Sequence, residues 1–487
     1  MRFFFKRVLF SGLAIGLLLG IVFTIGSCKK ADSFDTSPSA KLSFSGDSIL
    51  FDTVFTTIGS TTRAFMVYNN SKLAVKISSI ELLGGTGSNF KVNVDGIAGS
   101  FFSDVEIEGN DSLFLFVNVR VDPTNQNSPL VISDKIRFVT NGNTQEIELV
   151  AWGQDAHYIV ANKWLNANLP YKIVAAEHQT VTWTADKPYL VYGYAVVDST
   201  GSLYIEPGVN IHFHKNSGLW VYKGGSIHVN GSKDKPVYFK GDRLETEYSD
   251  IPGQWDRIWI NEGAVDNVIN YAIIENGFIG LQTETMDASM GNNLQLTNTI
   301  IRNMSGWGLF SRHYDIVASN NLIYNCGLDL MYLSIGGNYD FRHCTFANFW
   351  NGGVRQTPSL IVSNFYMDEP NQLMYVGDLD KAYFGNCIIY GNIEEELALA
   401  KSDDASKFNY KFENCLIRTK LNSDSLLSCI KNKDPLFEDF TLGKFNPLNT
   451  SPIINKGAAW VAQSVPYDLN GDPRTPMPDL GALQHKQ

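Results

Sequence analysis

Seven short segments between Tyr271 and Arg418 share one alternation of apolar and polar positions. They begin at Tyr271, Asn298, Asn320, His343, Asn364, Asn386 and Asn414, at spacings of 27, 22, 23, 21, 22 and 28 residues. Three residues in, every segment carries an apolar side chain: Ile274, Ile301, Ile323, Phe346, Met367, Ile389 and Ile417. Five residues in, four of the seven are asparagine, at Asn276, Asn303, Asn325 and Asn348. A period of this size marks a stacked repeat, in which each coil buries its inner face only against its neighbours. Asparagine tolerates the left-handed backbone that a sharp turn between strands needs, and Gly277, Gly327 and Gly352 follow it. Leucine-rich repeats share the period but need leucine at fixed offsets, and those are absent. The pattern predicts a right-handed parallel β-helix.

A different pattern precedes it. From Leu42 to about Gly153, short alternating strands are separated by Gly, Asn and Asp turns, as in Ala64–Tyr68, Val75–Ser78, Leu113–Val117 and Ile147–Val150. Some seven such strands predict an immunoglobulin-like sandwich. The expected organisation is all-β: a signal segment over 1–27, a flexible tether over 28–41, the sandwich over 42–155, a connector and cap over 156–188, the β-helix over 189–450 and a closing segment over 451–487.

The N-terminus carries an address. Arg2, Lys6 and Arg7 form a basic start, and Val8 to Ile25 is apolar. That length would also permit a transmembrane anchor. Ile25-Gly26-Ser27-Cys28 resembles a bacterial lipobox, which makes Cys28 the acylated first residue of the mature chain. Loss of residues 1–27 removes three basic residues and no acids, so the formal charge moves from −11 to −14. Several acyl chains give stable anchoring. Lys29 follows Cys28 where an inner-membrane retention signal would have aspartate, which favours the outer membrane. Asp32 and Asp35 resemble acidic surface-export tethers, so the cell surface is expected and a periplasmic face is the alternative.

Composition changes the picture in two ways. Charged residues are 18% of the chain and aromatics 12%, as a long solenoid interior with aromatic surface ledges would require. The acidic balance, without a cluster of Lys and Arg, argues against nucleic acid. Beyond Cys28 the cysteines are 326, 344, 387, 415 and 429, with no zinc spacing. Cys344, Cys387 and Cys415 each sit one residue into a segment, on the same side as the apolar column, so they are read as buried thiols. A Cys387–Cys415 disulfide remains open in an oxidising compartment.

Several landmarks resemble known families. Phe51-Asp52-Thr53-Val54, Ile58-Gly59, Tyr68-Asn69-Asn70 and Asn89-Phe90 resemble the exported Ig-like family related to abnormal-spindle/hydin domains, which implies a spacer or protein-contact module. Leu203–Val209, Gly224–Ile227, Asn230-Gly231, Pro236–Phe239 and Gln254–Ile258 resemble the first coils of bacterial pectate-lyase-like β-helix lipoproteins. Arg257 stands where that family often has glycine. Ser451–Gly457, Asp468–Arg474 and Asp479–Ala482 resemble the family's closing segment. The resemblance covers about 189–483 and implies fold more than function, because this fold hosts lyases, hydrolases, adhesins and inert scaffolds.

Chemistry is sparse. Lyases of this fold need a Lys or Arg base beside calcium-holding carboxylates, and hydrolases need two placed carboxylates. The nearest candidate set is Arg312, His313 and Asp315, with Asp329, Arg342 and His343 one coil on. The bland alternative is a polar outer face, with His343 filling the asparagine position of its repeat. Asp378 and Asp380, and the Asp468-x-Asn470-x-Asp472 run, are oxygen clusters that calcium would favour, though solvated or tight turns explain both. Glu394-Glu395-Glu396 reads as a surface loop or short helix. Trp307 and Trp350 are candidate sugar-stacking platforms, whereas Trp255 and Trp259 read as packing. The expectation is a non-catalytic outer-membrane lipoprotein without cofactor. It would act as a binding or scaffold subunit, with an outer-membrane protein partner or a glycan. The alternative is a polysaccharide lyase or glycoside hydrolase acting in a β-helix groove.

Overall fold

The computed structural model describes residues 33–55, 59–121, 130–166, 169–263, 266–285 and 293–486. The signal segment 1–27, the lipid site Cys28 and the first residues of the tether lie outside them. The chain divides into two units, one ending at Gly153 and one running from Gln154 to the C-terminus. Among the described residues, no helix is long and apolar enough to cross a membrane.

The first unit is a β-sandwich. One five-stranded sheet orders Ser43–Phe44, Arg63–Tyr68, Ser112–Val119, Phe90–Val94 and Ile97–Gly99. The other orders Ser48–Phe55, Asn143–Gln154, Leu130–Thr140, Val75–Leu82 and Phe101–Ile107. Strand alternation decides the core: Leu113, Leu115, Val117 and Val119 are buried, while Phe114 and Phe116 face out from the same strand. Residues 34–41 are held rather than free, which corrects part of the flexible tether. Phe34 bridges Ala74, the Asp35 carboxylate accepts from Ser71 Oγ at 2.6 Å, and Asn141 Nδ2 donates to the Asp35 carbonyl at 2.8 Å.

The second unit is a parallel β-helix. Its smaller sheet has eleven strands, all in parallel register from His157–Val160 to Ile430–Lys431. Coiling therefore starts before Tyr189, inside the stretch expected as connector and cap. The inward column is as the alternation requires. Ile274, Ile301, Ile323, Phe346, Ile389 and Ile417 pair coil to coil and are wholly buried. Each such side chain stabilises the stack by roughly 1.5–3 kcal/mol through burial.

Met367 does not belong to that column. Thr345–Asn348 pairs directly with Ile388–Gly391, and the Asn364 segment becomes an antiparallel hairpin, Phe365–Asp368 with Leu373–Val376. The hairpin passed for a coil because His343 and Asn386 are 43 residues apart, close to two nominal periods. The seventh coil comes from Ser428, whose φ of 54° matches the segment starts Tyr271, Asn298, Asn320, His343, Asn386 and Asn414. Left-handed backbone thus lies at the segment starts as well as at Asn276, Asn303 and Asn325. Asn348 differs: it is a buried strand residue whose side chain bonds the Cys326 backbone. Stacked amides satisfy one another along the starts, as in Asn320 Nδ2 to Asn298 Oδ1 at 3.1 Å. Cys344, Cys387 and Cys415 are buried free thiols in one column, and Cys429 extends it from a half-buried position.

The closing segment, with the antiparallel pair Phe437–Asp439 and Lys444–Pro447 before it, covers the outer side of the smaller sheet. Leu322, Tyr324, Ile388 and Leu416 point outward and pack on Phe437, Phe445, Ile453, Leu469, Leu480 and Leu483. Glu396 corrects the surface-loop expectation. It is wholly buried and forms a two-pronged ion pair with Arg355, at 2.6 and 2.9 Å.

Candidate functional site

The larger sheet has eighteen strands and contains two long ones, Leu309–Ser319 and Met331–Arg342, which pair in parallel. Both bend midway. His313 takes φ 47°, and Ile335, Gly336 and Gly337 take φ 60°, 72° and 118° in the next coil. Glycine is required there, because a Cβ on Gly336 would lie 2.2 Å from the Asp378 carbonyl oxygen. The hairpin Phe365–Val376 stands beside this bend. Together they enclose a pocket of about 450 Å³ lined by Thr285, Arg312, His313, Ile335, Tyr366, Asp368, Tyr375, Val376 and Gly377.

Arg312 is fixed on three sides. Its guanidinium lies 4.3 Å from the Tyr366 ring centre and 4.9 Å from that of Phe310, and it pairs with buried Glu284 at 3.4 Å. Glu284 is held in turn by Asn261 Nδ2 and Gln282 Nε2. Trp307 stacks on Phe310 at 5.5 Å, and its Nε1 donates to Asp329 at 2.9 Å. His313 Nδ1 meets the Ile335 carbonyl at 2.9 Å. A carbonyl only accepts, so this nitrogen carries the proton in the neutral ring.

The other candidates do not converge on Arg312 and His313. Asp315 lies past the bend and is exposed. Asp329 is buried beneath Trp307, and burial pushes its carboxyl up to about 6 against the opposing pull of Trp307 and Arg355. Arg342 pairs in register with Ser319, seven residues beyond Arg312 and so roughly 20 Å along the strand. There it grips Asp340 at 2.8 and 3.0 Å and donates to Ser464 at 2.8 Å. His343 is wholly buried, with Nε2 2.9 Å from Asn386 Nδ2, and burial holds its pKa well below the usual histidine value. It occupies the asparagine position of its coil. Trp350 lies half-buried against Gly327 and Gly352, away from the pocket lining.

The oxygen clusters are already engaged. Lys407 bridges Asp380 at 2.7 Å and Asp378 at 3.4 Å, since the next coil places a lysine over the pair. Asp468 is buried and accepts from the backbone of Asn470, Asp472 and Gln484, each at 2.8 Å, which makes a tight turn. Among the described residues, no group of three or more His, Cys, Asp or Glu side chains is arranged to hold a metal ion.

Sequence reading missed the outward column of the larger sheet. Trp220, Trp259, Gln282, Phe310 and Tyr332 pair coil to coil along it. Trp220 and Trp259 stack at 4.9 Å, and Tyr194 meets Trp220 edge-on. A second cleft, of about 720 Å³, lies beside this end and includes Tyr194, His214, Asp256, Arg257 and Phe278. The Tyr194 hydroxyl donates to Asp256, and Arg257 Nε donates to the same carboxylate at 3.0 Å. Unequal coil lengths hid this column, because its members recur at no fixed spacing.

Residues 175–303 match the family described as pectate-lyase-like β-helix domain. The match ends before Arg312, so of the pocket lining it includes Thr285 and stops short of the rest. No curated protein matches the chain. The solved structures similar over part of it include the following two. One is the ASH/PapD-like domain of human CEP192, with 12% identity, 27% of this chain and 98% of that one covered, and a TM-score of 0.18. The other is a family 123 glycoside hydrolase from Clostridium perfringens, with 9% identity, 27% and 26% covered, and a TM-score of 0.18. The matched part therefore spans about a quarter of the hydrolase.

Proposed function

We propose that this chain, which carries a pectate-lyase-like β-helix domain, is a non-catalytic glycan-binding lipoprotein of the outer membrane. The observation that carries the reading is the outer face of the larger sheet. An aromatic column leads there to a pocket walled by Tyr366 and Tyr375, and its arginine is already paired. Flat rings beside a few polar groups suit a sugar, whose ring has an apolar face and a polar edge. Catalysis needs a base and charge-stabilising groups on one reacting centre. Here Asp329, Arg342 and His343 lie apart from Arg312 and His313.

Lipidation at Cys28 would hold the protein at the membrane, facing the cell surface. The sandwich would serve contact with a membrane protein partner, since Phe114 and Phe116 stack at 6.0 Å on an exposed face. The test incubates purified full-length protein with acidic and neutral polysaccharides. Saturable binding without chain cleavage is expected. Cleavage abolished by Arg312→Ala or His313→Ala, with the fold intact, overturns the non-catalytic reading. Cys28→Ala is expected to leave an uncleaved or soluble species. A variant that still fractionates with outer membrane at mature size overturns the anchoring.

A further inference from the structure

We infer that the Arg312 pocket takes a neutral sugar ring and discriminates against a uronate. This rests on the glycan-binding reading and names the substrate class of the same site. The matched β-helix family is described by an activity on pectate, an acidic polymer, so the inference runs against the fold's own label.

Charge carries the argument. Arg312 is the only Arg or Lys among the described residues lining the pocket. Its guanidinium pairs with Glu284 and lies against the Phe310 and Tyr366 rings, so its charge is compensated within the fold. An incoming carboxylate would have to compete with Glu284 for that charge. It would also approach Asp368, whose carboxylate stands in the pocket wall and, among the described residues, is bonded by neutral groups, the backbone N–H and side-chain amide of Asn371. A second carboxylate brought beside this one is disfavoured by like-charge repulsion.

Shape agrees. Two tyrosine rings and the apolar Ile335 and Val376 offer surface to the C–H face of a pyranose, while Thr285, His313 and Asp368 offer polar atoms to its hydroxyls. Gly377 lets the hairpin pack closely on the bend: a Cβ there would lie 2.3 Å from the Ile335 carbonyl oxygen and 3.1 Å from His313 Nδ1. A pocket of about 450 Å³ falls within the range of small-ligand sites.

The experiment titrates the full-length protein with neutral cello-, manno- and xylo-oligosaccharides and with oligogalacturonate, by calorimetry. At least one neutral series is expected to bind, and oligogalacturonate to bind about tenfold or more weakly. Tyr366→Ala and Tyr375→Ala are each expected to weaken neutral binding about tenfold while circular dichroism and Tm stay close to wild type. Asp368→Asn is expected to narrow the gap between neutral and acidic ligands. Tighter binding of oligogalacturonate that Tyr366→Ala abolishes overturns the neutral class and leaves the glycan site standing. Neutral binding that Tyr366→Ala and Tyr375→Ala leave intact, but Trp259→Ala removes, overturns the pocket and keeps the glycan reading. Absence of saturable binding to any of these glycans overturns both.

Discussion

The two sheets of the β-helix carry equally regular outward columns and meet opposite fates. On the smaller sheet the column is mainly aliphatic, with Ile300, Leu322, Ile388 and Leu416 on either side of Thr345, and the closing segment lies over it. On the larger sheet it is aromatic and polar, with Trp220, Trp259, Gln282, Phe310 and Tyr332, and it lines up with a pocket. Aliphatic side chains gain only by leaving water, so that face had to be covered. Aromatic and amide side chains keep a polar edge or a face for a partner, so that face is covered only in part: Trp220, Gln282 and Phe310 are buried, whereas Trp259 and Tyr332 are half-buried. The aliphatic face is therefore where stability is concentrated, and the partly covered aromatic face is where ligand selectivity is expected.

The sharpest way to break this contrast lies under the cover. Arg474 is wholly buried, and it donates to Asn320 at 2.8 Å, Gln484 at 3.0 Å and the Gly481 carbonyl at 3.0 Å. Arg474→Ala should cost about 3–5 kcal/mol, because it strands Asp468 and Asp479 without their nearby positive charge. Urea denaturation measures this, and a loss below about 1 kcal/mol would show that the closing segment is dispensable.

Next in size is the shared interior. Ile323→Ala should cost roughly 2–5 kcal/mol through lost burial and a cavity, because neighbouring coils prevent collapse. Denaturant titration checks it, and glycan binding should persist under native conditions.

Acid should act through the buried imidazoles. Burial holds His343 well below its usual pKa and pulls His212 down to about 3. Both folded values lie below the unfolded value near 6.5, so the unfolded chain binds more protons in acid. Their stabilisation is complete above about pH 6.5 and is lost as pH falls toward the folded values, by about 1.4 kcal/mol per pH unit for each group. Asp329 opposes this: its carboxyl is raised to about 6, so it favours the folded state as pH falls from there toward 4. His343→Asn keeps the left-handed position tenable and should flatten the acid limb by about one proton. Unchanged steepness in Tm against pH would place the sensitivity elsewhere.

The smallest stability effect belongs to the half-buried part of the aromatic face. Tyr332→Ala, in the outward column beside Phe310, should change stability by about 1 kcal/mol or less. A loss as large as that of Ile323→Ala would mean that this face is core and that the contrast fails.

The six inward residues were legible because a strand's alternation is local and the coil repeats it. The buried thiols of Cys344, Cys387 and Cys415 follow from the same parity. The Asn364 segment imitated a coil through spacing alone, and only strand pairing could expose it as a hairpin. Arg312 and His313 were picked out for catalysis. Their actual neighbours, Glu284, Tyr366 and Tyr375, come from other coils and from that hairpin, at distances in sequence that no motif spans.

By itself, then, the sequence determined the coil, its inward column and its left-handed corners, because these depend on backbone preference and parity within a few residues. Which outward face is covered was decided only by tertiary structure. That cover rests on contacts such as Arg474 with Asn320, 154 residues apart, and Ala482 with Thr345, 137 apart. An aliphatic outward column states the need for a cover but does not say which segment returns to meet it.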